Sequence, residues 1–282
     1  MSNSPHSTLG TALITGASSG IGATYADRLA KRGYDLILVA RDEARLKALA
    51  AKLSAEAGVK VDVLRADLTD KADLAAVEQR LASDATITLL VNNAGAGAPG
   101  AFDQQGADKH AALIELNVVS VTRLLAAAAP GFLARGKGSV INIASVLALA
   151  PEIGMPVYNA TKAFVLTLSQ SLQTEYAGKN LYIQAVLPAA TRTEIWERSG
   201  MDVDSMPAGS VMDVNDLVDA ALVGFDRGEH VTIPPLHDEG QWQAFEAARL
   251  AMLPNFRSDT PGARYLTSTS SGIDGLKSSV GI

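Results

Sequence analysis

Ser145, Tyr158 and Lys162 are the residues whose types and spacing can do chemistry in this chain. Val140, Ile141 and Ile143 read as a central strand with no polar face, so Ser145 falls just past its carboxyl end, where open α/β sheets bind ligands. Pro156 suits an early helix position, and Ala160, Phe164, Leu168 and Leu172 then recur at helical spacing. Tyr158 and Lys162 therefore share a helix face. An ammonium one turn from a phenol favours the phenolate and turns a weak acid into a usable proton donor and acceptor. A nearby serine hydroxyl can hold the oxygen of a carbonyl or alcohol.

The rest of the chain has to position that set. It has 282 residues, 48% of them apolar and 19% charged, which suits one domain with a large core. The expected domain is 1–257, followed by a C-terminal arm at 258–282 rich in Ser, Thr and Gly. A net charge of −6 with no basic run argues for a small-molecule substrate and against nucleic acid or an anionic membrane as partner. There is no cysteine, which excludes disulfides and thiolate chemistry. His6, His110, His230 and His237 show no metal-ligand spacing, so no metal is expected. The opening MSNSPHST lacks the features of a secretory signal, and no apolar run approaches the ~18 residues of a membrane span. The expected location is the cytoplasm.

Strand, glycine turn and helix follow one another from Leu9. The apolar run LGTALIT stops at Thr15, the turn holds Gly16, Ser18, Ser19, Gly20, Ile21 and Gly22, and a helix over about 20–32 points its amide-rich start at what the turn encloses. That arrangement favours a pyrophosphate. A second strand over 36–40 ends in Ala40 and Arg41. At this place in dinucleotide folds a carboxylate accepts the 2′-hydroxyl of NAD and an arginine accommodates the 2′-phosphate of NADP, so Arg41 points to NADP(H). The alternative is that Arg41 pairs with Asp42 or Glu43 on the surface.

A third strand over 59–64 leads to Asp67 and Leu68; Asp67 either meets an adenine amine or caps the helix beginning near Asp70. A fourth, 87–91, ends in Asn92, Asn93, Ala94 and Gly95, small enough for a flat cofactor to pass close. A helix over 107–129, stopping near Pro130, carries Asn117, which either makes structural hydrogen bonds or faces water. After the tyrosine helix and a strand over 181–187, residues 189–212 show no strand pattern and read as a substrate loop or lid. A helix over 214–227, a strand over 230–234 and a helix over 240–253 follow. The repeating unit is βα. The fold expected is α/β, a Rossmann-type doubly wound, mostly parallel seven-stranded sheet with helices on both faces.

TGASSGIG at 15–22, NNAG at 92–95, Asn117, Ser145 and YNATK at 158–162 stand together in an order and at separations that resemble the short-chain dehydrogenase/reductase (SDR) family, over about 9–234. Where that family usually has Pro-Gly after the sixth strand, this chain has Pro188-Ala189. The resemblance implies a carbonyl reductase or reversible alcohol dehydrogenase with NADP(H). Tyr158 would be the general acid or base, Ser145 would hold the reacting oxygen, Lys162 would lower the tyrosine pKa and bind the nicotinamide ribose, and Asn117 would hold a water of the proton relay.

Gly16, Ser18, Ile21 and Gly22 would line the pyrophosphate, Asp67 and Leu68 the adenine, and Thr191 and Thr193 the carboxamide and phosphate side. Leu147, Ile153, Met155, Val157, Ile195, Trp196 and Met201 are candidate pocket lining. Pairing through the helices at 107–129 and 156–177, giving a homodimer or homotetramer, is also implied. Two other readings compete: a catalytically inert NADP-binding regulatory protein of the same fold, and reduction of a carbon-carbon double bond, for which related enoyl reductases space tyrosine and lysine further apart.

Overall fold

The computed structural model describes residues 9–97, 99–194 and 202–266. The chain divides into two compact units, Met1–Pro235 and Leu236–Ile282.

The first unit is built on a sheet of seven parallel strands: β1 Thr11–Thr15, β2 Asp35–Ala40, β3 Val61–Arg65, β4 Ile87–Asn92, β5 Gly138–Ile143, β6 Leu181–Val186 and β7 Val231–Thr232, in the spatial order 3-2-1-4-5-6-7. It is the doubly wound Rossmann-type sheet expected. Every pairing is parallel, from Thr11 opposite Asp35 to Val186 opposite Thr232. β-Branched and leucine runs make these strands, and burial on both faces removes any need for polar alternation. Side chains still alternate between faces. Leu13, Ile37 and Val39 join one core layer and Ala12, Ile14, Leu36 and Leu38 the other.

The helices are α1 Gly20–Lys31, α2 Glu43–Ala57, α3 Lys71–Ser83, α4 Ala107–Ile114, α5 Ser120–Arg135, α6 Pro156–Glu175 and α7 Val214–Asp226, with α8 Glu239–Ala251 in the second unit. α3, α5 and α6 cover the first layer through Leu74, Val77, Leu124, Phe132 and Val165. α1, α2 and α7 cover the second through Tyr25, Leu29, Leu46, Leu53 and Val218. Aspartates start several of them: Asp42, Asp70 and Asp213 each accept from a backbone N–H of the first turn of α2, α3 and α7.

Two expectations about the central helix are corrected. It does not stop at Pro130, which lies inside α5. The turn beyond the proline is held from outside the helix: Phe132 is fully buried, and Arg135 donates to Ile87 O at 3.0 Å while lying over the Phe132 ring. Gly138 makes room for that ring, since a Cβ there would stand 2.3 Å from Phe132 Cγ. Gly138→Ala is therefore expected to cost about 1–3 kcal/mol by overpacking, read as a lower urea midpoint with an unchanged slope.

The stretch Ala107–Arg135 is also long and apolar enough, at a mean hydropathy of 1.6, to cross a membrane by composition alone. Its apolar face is turned inward. Leu113, Val121, Leu124, Leu125, Ala128 and Phe132 are buried in the core beside the sheet.

Candidate active site

β5 ends at Ile143, and the next residues are pinned to the neighbouring strand by Ala144 N donating to Val186 O and Val146 N to Pro188 O, at 2.8 and 2.9 Å. Ser145 is thereby fixed at the carboxyl edge of the sheet. Its Oγ accepts from Leu147 N at 3.1 Å and lies 3.4 Å from Pro188 O. Tyr158 and Lys162 stand one turn apart on α6, with Lys162 Nζ 5.7 Å from the Tyr158 ring centroid.

Burial pushes the Tyr158 phenol above its ordinary value, and a hydrogen bond with Ser145 pulls it back down. The downward pull on the phenol thus comes from Ser145. Lys162 is itself desolvated: burial lowers its pKa to about 8, and Nζ donates to Ile143 O at 2.8 Å. A neutral phenol near a buried hydroxyl is a proton donor beside the place where Ser145 can hold an oxygen.

Asn117 sits in a π-helical turn, Glu115–Val119, that joins α4 to α5. Such turns insert one residue and re-aim the side chains around them. The hydroxyl of Ser120, the first residue of α5, donates back into it, to Leu116 O at 2.5 Å. Asn117 is buried and fully engaged in hydrogen bonds. Its Oδ1 accepts from Ala96 N, and its Nδ2 donates to Ala96 O and to Thr161 Oγ1, at 3.0 to 3.1 Å. A Cβ on Gly95 would stand 3.3 Å from Asn117 Oδ1 and 3.5 Å from Lys162 Nζ, so both side chains converge on the backbone after β4.

β1 and β4 are neighbours, and the order of the sheet reverses between them, which makes the cleft above their carboxyl ends the switch point. The glycine turn and Asn93 meet there. Asn93 Nδ2 donates to Thr15 O and Gly16 O at 2.9 and 3.2 Å, while Asn93 N and Ala94 N both donate to Thr15 Oγ1 at 3.0 Å. Gly16 and Gly20 have φ of 65° and 53°, and a Cβ on Gly22 would lie 2.3 Å from Gly16 O. Across the turn, Thr193 packs where a Cβ of Gly20 would come within 3.1 Å of it. Thr191 is buried, its Oγ1 donating to Ala189 O at 3.0 Å, and it forms a β-bridge with Met212 between β6 and α7.

At the far end of the cleft Arg41 is exposed and makes no ion pair among the described residues. Its acidic neighbours are engaged elsewhere, Asp42 with Arg45 at 3.4 Å and Glu43 with Lys47 at 2.7 Å. Asp67 does not cap α3, because Asp70 does. Its carboxylate accepts from Thr69 N and Oγ1 at 3.0 and 2.7 Å. Burial raises the Asp67 pKa, but these bonds and the Arg41 guanidinium outweigh it and hold the group below the usual range. Leu68 beside it is buried.

Ser18, Ser19 and Ile21 complete the turn, half-buried at the start of α1, whose first turn carries no acidic side chain. Ile195, Trp196 and Met201 lie outside the described residues. Two features have no signal in residue types alone: an ion pair of Arg45 with Glu194 at 2.6 Å, and the amide of Asn159, which holds the turn before α6.

Fold and site define a Rossmann-type protein whose switch-point cleft is bordered by a serine, a tyrosine and a lysine. Residues 10–204 match the short chain dehydrogenase family, and the chain belongs to that family. It is 58% identical to a short-chain dehydrogenase from Sphingobium yanoikuyae solved in complex with NADPH, with a TM-score of 0.89 over 92% of this chain and 100% of that one. A bulky-bulky ketone specific alcohol dehydrogenase from Comamonas testosteroni is 53% identical, with a TM-score of 0.85 over 92% and 99%.

Among curated relatives, the 2,5-dichloro-2,5-cyclohexadiene-1,4-diol dehydrogenase LinX of Sphingobium indicum is 30% identical over 82% of this chain and 95% of its own length. The chain spans only 56% of the length of another, the human inactive hydroxysteroid dehydrogenase-like protein 1, at 30% identity.

Proposed function

We propose that the chain is an NADP(H)-dependent oxidoreductase that reduces ketones or aldehydes to alcohols and runs the reverse oxidation of secondary alcohols. The observation that carries this reading is the placing of Ser145 at the carboxyl edge of the sheet with Tyr158 and Lys162 one turn apart on α6 beside it. NADP(H), when bound, supplies or takes up the hydride. Ser145 holds the carbonyl oxygen, and Tyr158 gives its phenolic proton to that oxygen as the carbon is reduced. Lys162, still largely charged at neutral pH, sits beside the phenol that is losing its proton. Asn117 keeps Ala96 and Thr161 in place around it.

The cleft fits a dinucleotide. Gly16 and Gly22 stand where a Cβ would meet backbone and Gly20 where it would meet the Thr193 side chain, so the turn stays tight, and the start of α1 brings unneutralised amides to the same place. Gly16, Ser18, Ser19, Gly20, Ile21 and Gly22 would hold the pyrophosphate, Asp67 and Leu68 the adenine, Asn93, Ala94 and Gly95 the middle of the cofactor, and Tyr158, Lys162, Thr191 and Thr193 its nicotinamide end. Arg41 would take the 2′-phosphate. The NADPH of the Sphingobium relative supports this choice. The Comamonas relative makes ketones with two bulky substituents the first substrates to test.

Titration of the purified protein with NADPH and NADH, followed by cofactor fluorescence, tests the cofactor assignment. NADPH is expected to bind more tightly, and tighter NADH would contradict it. Arg41→Ala should weaken NADPH by about 10–100-fold, the worth of a charge-assisted contact to a phosphate, and leave NADH unchanged.

One relative is named inactive, and an inert NADP-binding protein remains the competing reading. Retention of Asn117, Ser145, Tyr158 and Lys162 together speaks against it. We place the protein in the cytoplasm as a homodimer or homotetramer. Ile114 of α4 and Phe164 of α6, 42% and 40% exposed, are apolar residues that pairing would cover. Light scattering at the mass of a single chain would contradict the assembly.

A further inference from the structure

Ser145 follows β5 and Tyr158 lies in the first turn of α6, so residues 146–157 leave one reacting group and return to the other. They are bound to form a wall beside the pair. That wall closes with a sharp reversal in which Gly154 and Met155, at φ 46° and 50°, are consecutive residues in the left-handed region. Glycine adopts this conformation freely, whereas methionine is strained in it and stays only if the surroundings hold it there.

Asn159 does the holding. It is 5% exposed, its Nδ2 donates to Gly154 O at 2.7 Å and to Ala150 O at 3.4 Å, and its backbone N–H donates to Met155 O at 3.0 Å. Ile153 N donates to the same Ala150 carbonyl at 3.1 Å, so both ends of the reversal are tied to one side-chain amide. The Oδ1 of Asn159 is buried with no hydrogen-bond partner among the described residues, an unfavourable arrangement that the amide donor has to outweigh. The held segment presents Ile153, a large apolar side chain 60% exposed.

We propose that Asn159 is a positioning residue that sets substrate specificity: by clamping 150–155 it fixes an apolar wall against which the larger substituent of a ketone rests. The proposal rests on the carbonyl-reductase reading above. In Asn159→Ala, KM for a ketone with two bulky apolar substituents is expected to rise about tenfold, while KM and kcat for a small aldehyde, and NADPH affinity, stay within about twofold. Amide exchange at 150–155 should quicken by about tenfold in the same variant, a local opening readable without any turnover.

A Met155→Gly background supplies the rescue. Glycine needs no clamp to stay left-handed, so Asn159→Ala should add little there, and the two changes should be non-additive. An equal fall in kcat for every substrate would overturn the proposal, because Asn159 would then act through Tyr158. Unchanged KM for the bulky ketone, or unchanged exchange at 150–155, would overturn it as well. If the wild type reduces no carbonyl, the catalytic reading fails alone, and the exchange result still decides the clamp.

Discussion

Tyr158→Phe is expected to lower kcat for ketone reduction by about 10²–10⁴-fold, the usual worth of a positioned proton donor, while NADPH, held along the rest of the cleft, loses no more than about tenfold in affinity. The phenol oxygen is the one atom removed, and the half-buried ring stays to fill its place in the first turn of α6. Ser145 would still hold the substrate oxygen, but its hydroxyl is a far weaker acid than the phenol it pairs with. Lys162 is one turn away and donates to Ile143 O, so it is not aimed at the oxygen in place of the phenol. The loss should therefore appear in kcat and kcat/KM together, as for an interaction made only in the transition state. Full turnover in the phenylalanine variant would remove Tyr158 from the catalytic set.

Lys162→Met should separate activity from stability. Turnover is expected to fall by about 10²-fold or more, because the charge beside the phenol is lost. Stability should move the other way. Lys162 is buried without an ion pair among the described residues, and burial lowers its pKa to about 8. An unfolded lysine titrates near 10.4. Below pH 8 both states are protonated and the folded protein carries the whole cost of a buried charge. Between pH 8 and about 10 the unfolded state holds more protons than the folded one, so wild-type stability rises with pH.

At about 1.4 kcal/mol per pKa unit, the rise amounts to roughly 3 kcal/mol. The methionine variant has no such slope. It also leaves Ile143 O without its donor, at about 1 kcal/mol, so its net gain at pH 7 is about 2 kcal/mol. Urea unfolding at pH 7, 8, 9 and 10 reads both effects. Parallel pH curves for the two proteins would contradict the buried-charge account.

Most of the sheet is legible in residue types. Runs such as Leu36 to Val39 and Leu89 to Val91 have no polar face, and they can be little else than strands covered on both sides. Pro130 misleads for a physical reason. The local rule that proline ends a helix is overridden by Phe132 and Gly138, residues that meet only in the folded core.

The site divides in the same way. The grouping of Ser145, Tyr158 and Lys162 can be read from a strand end and a helical spacing. The engagement of Asp42 by Arg45 and of Glu43 by Lys47, which leaves Arg41 to the cleft, cannot, because any of these charges could have paired with another. Asn159 escapes notice because its role depends on the sign of φ at Met155. The π turn around Asn117 is hidden too, since one inserted residue barely disturbs an apolar pattern.

The central claim is hydride transfer from a bound nicotinamide to a carbonyl carbon held between Ser145 and Tyr158. The most direct test is single turnover with NADPH carrying deuterium at both hydrogens of its reactive ring carbon and a ketone carrying two bulky substituents, with the product analysed by mass spectrometry. The account predicts an alcohol one mass unit heavier, labelled on the carbinol carbon. Tightly bound NADPH that remains reduced in the presence of ketones and aldehydes, or an alcohol without the label, would contradict it.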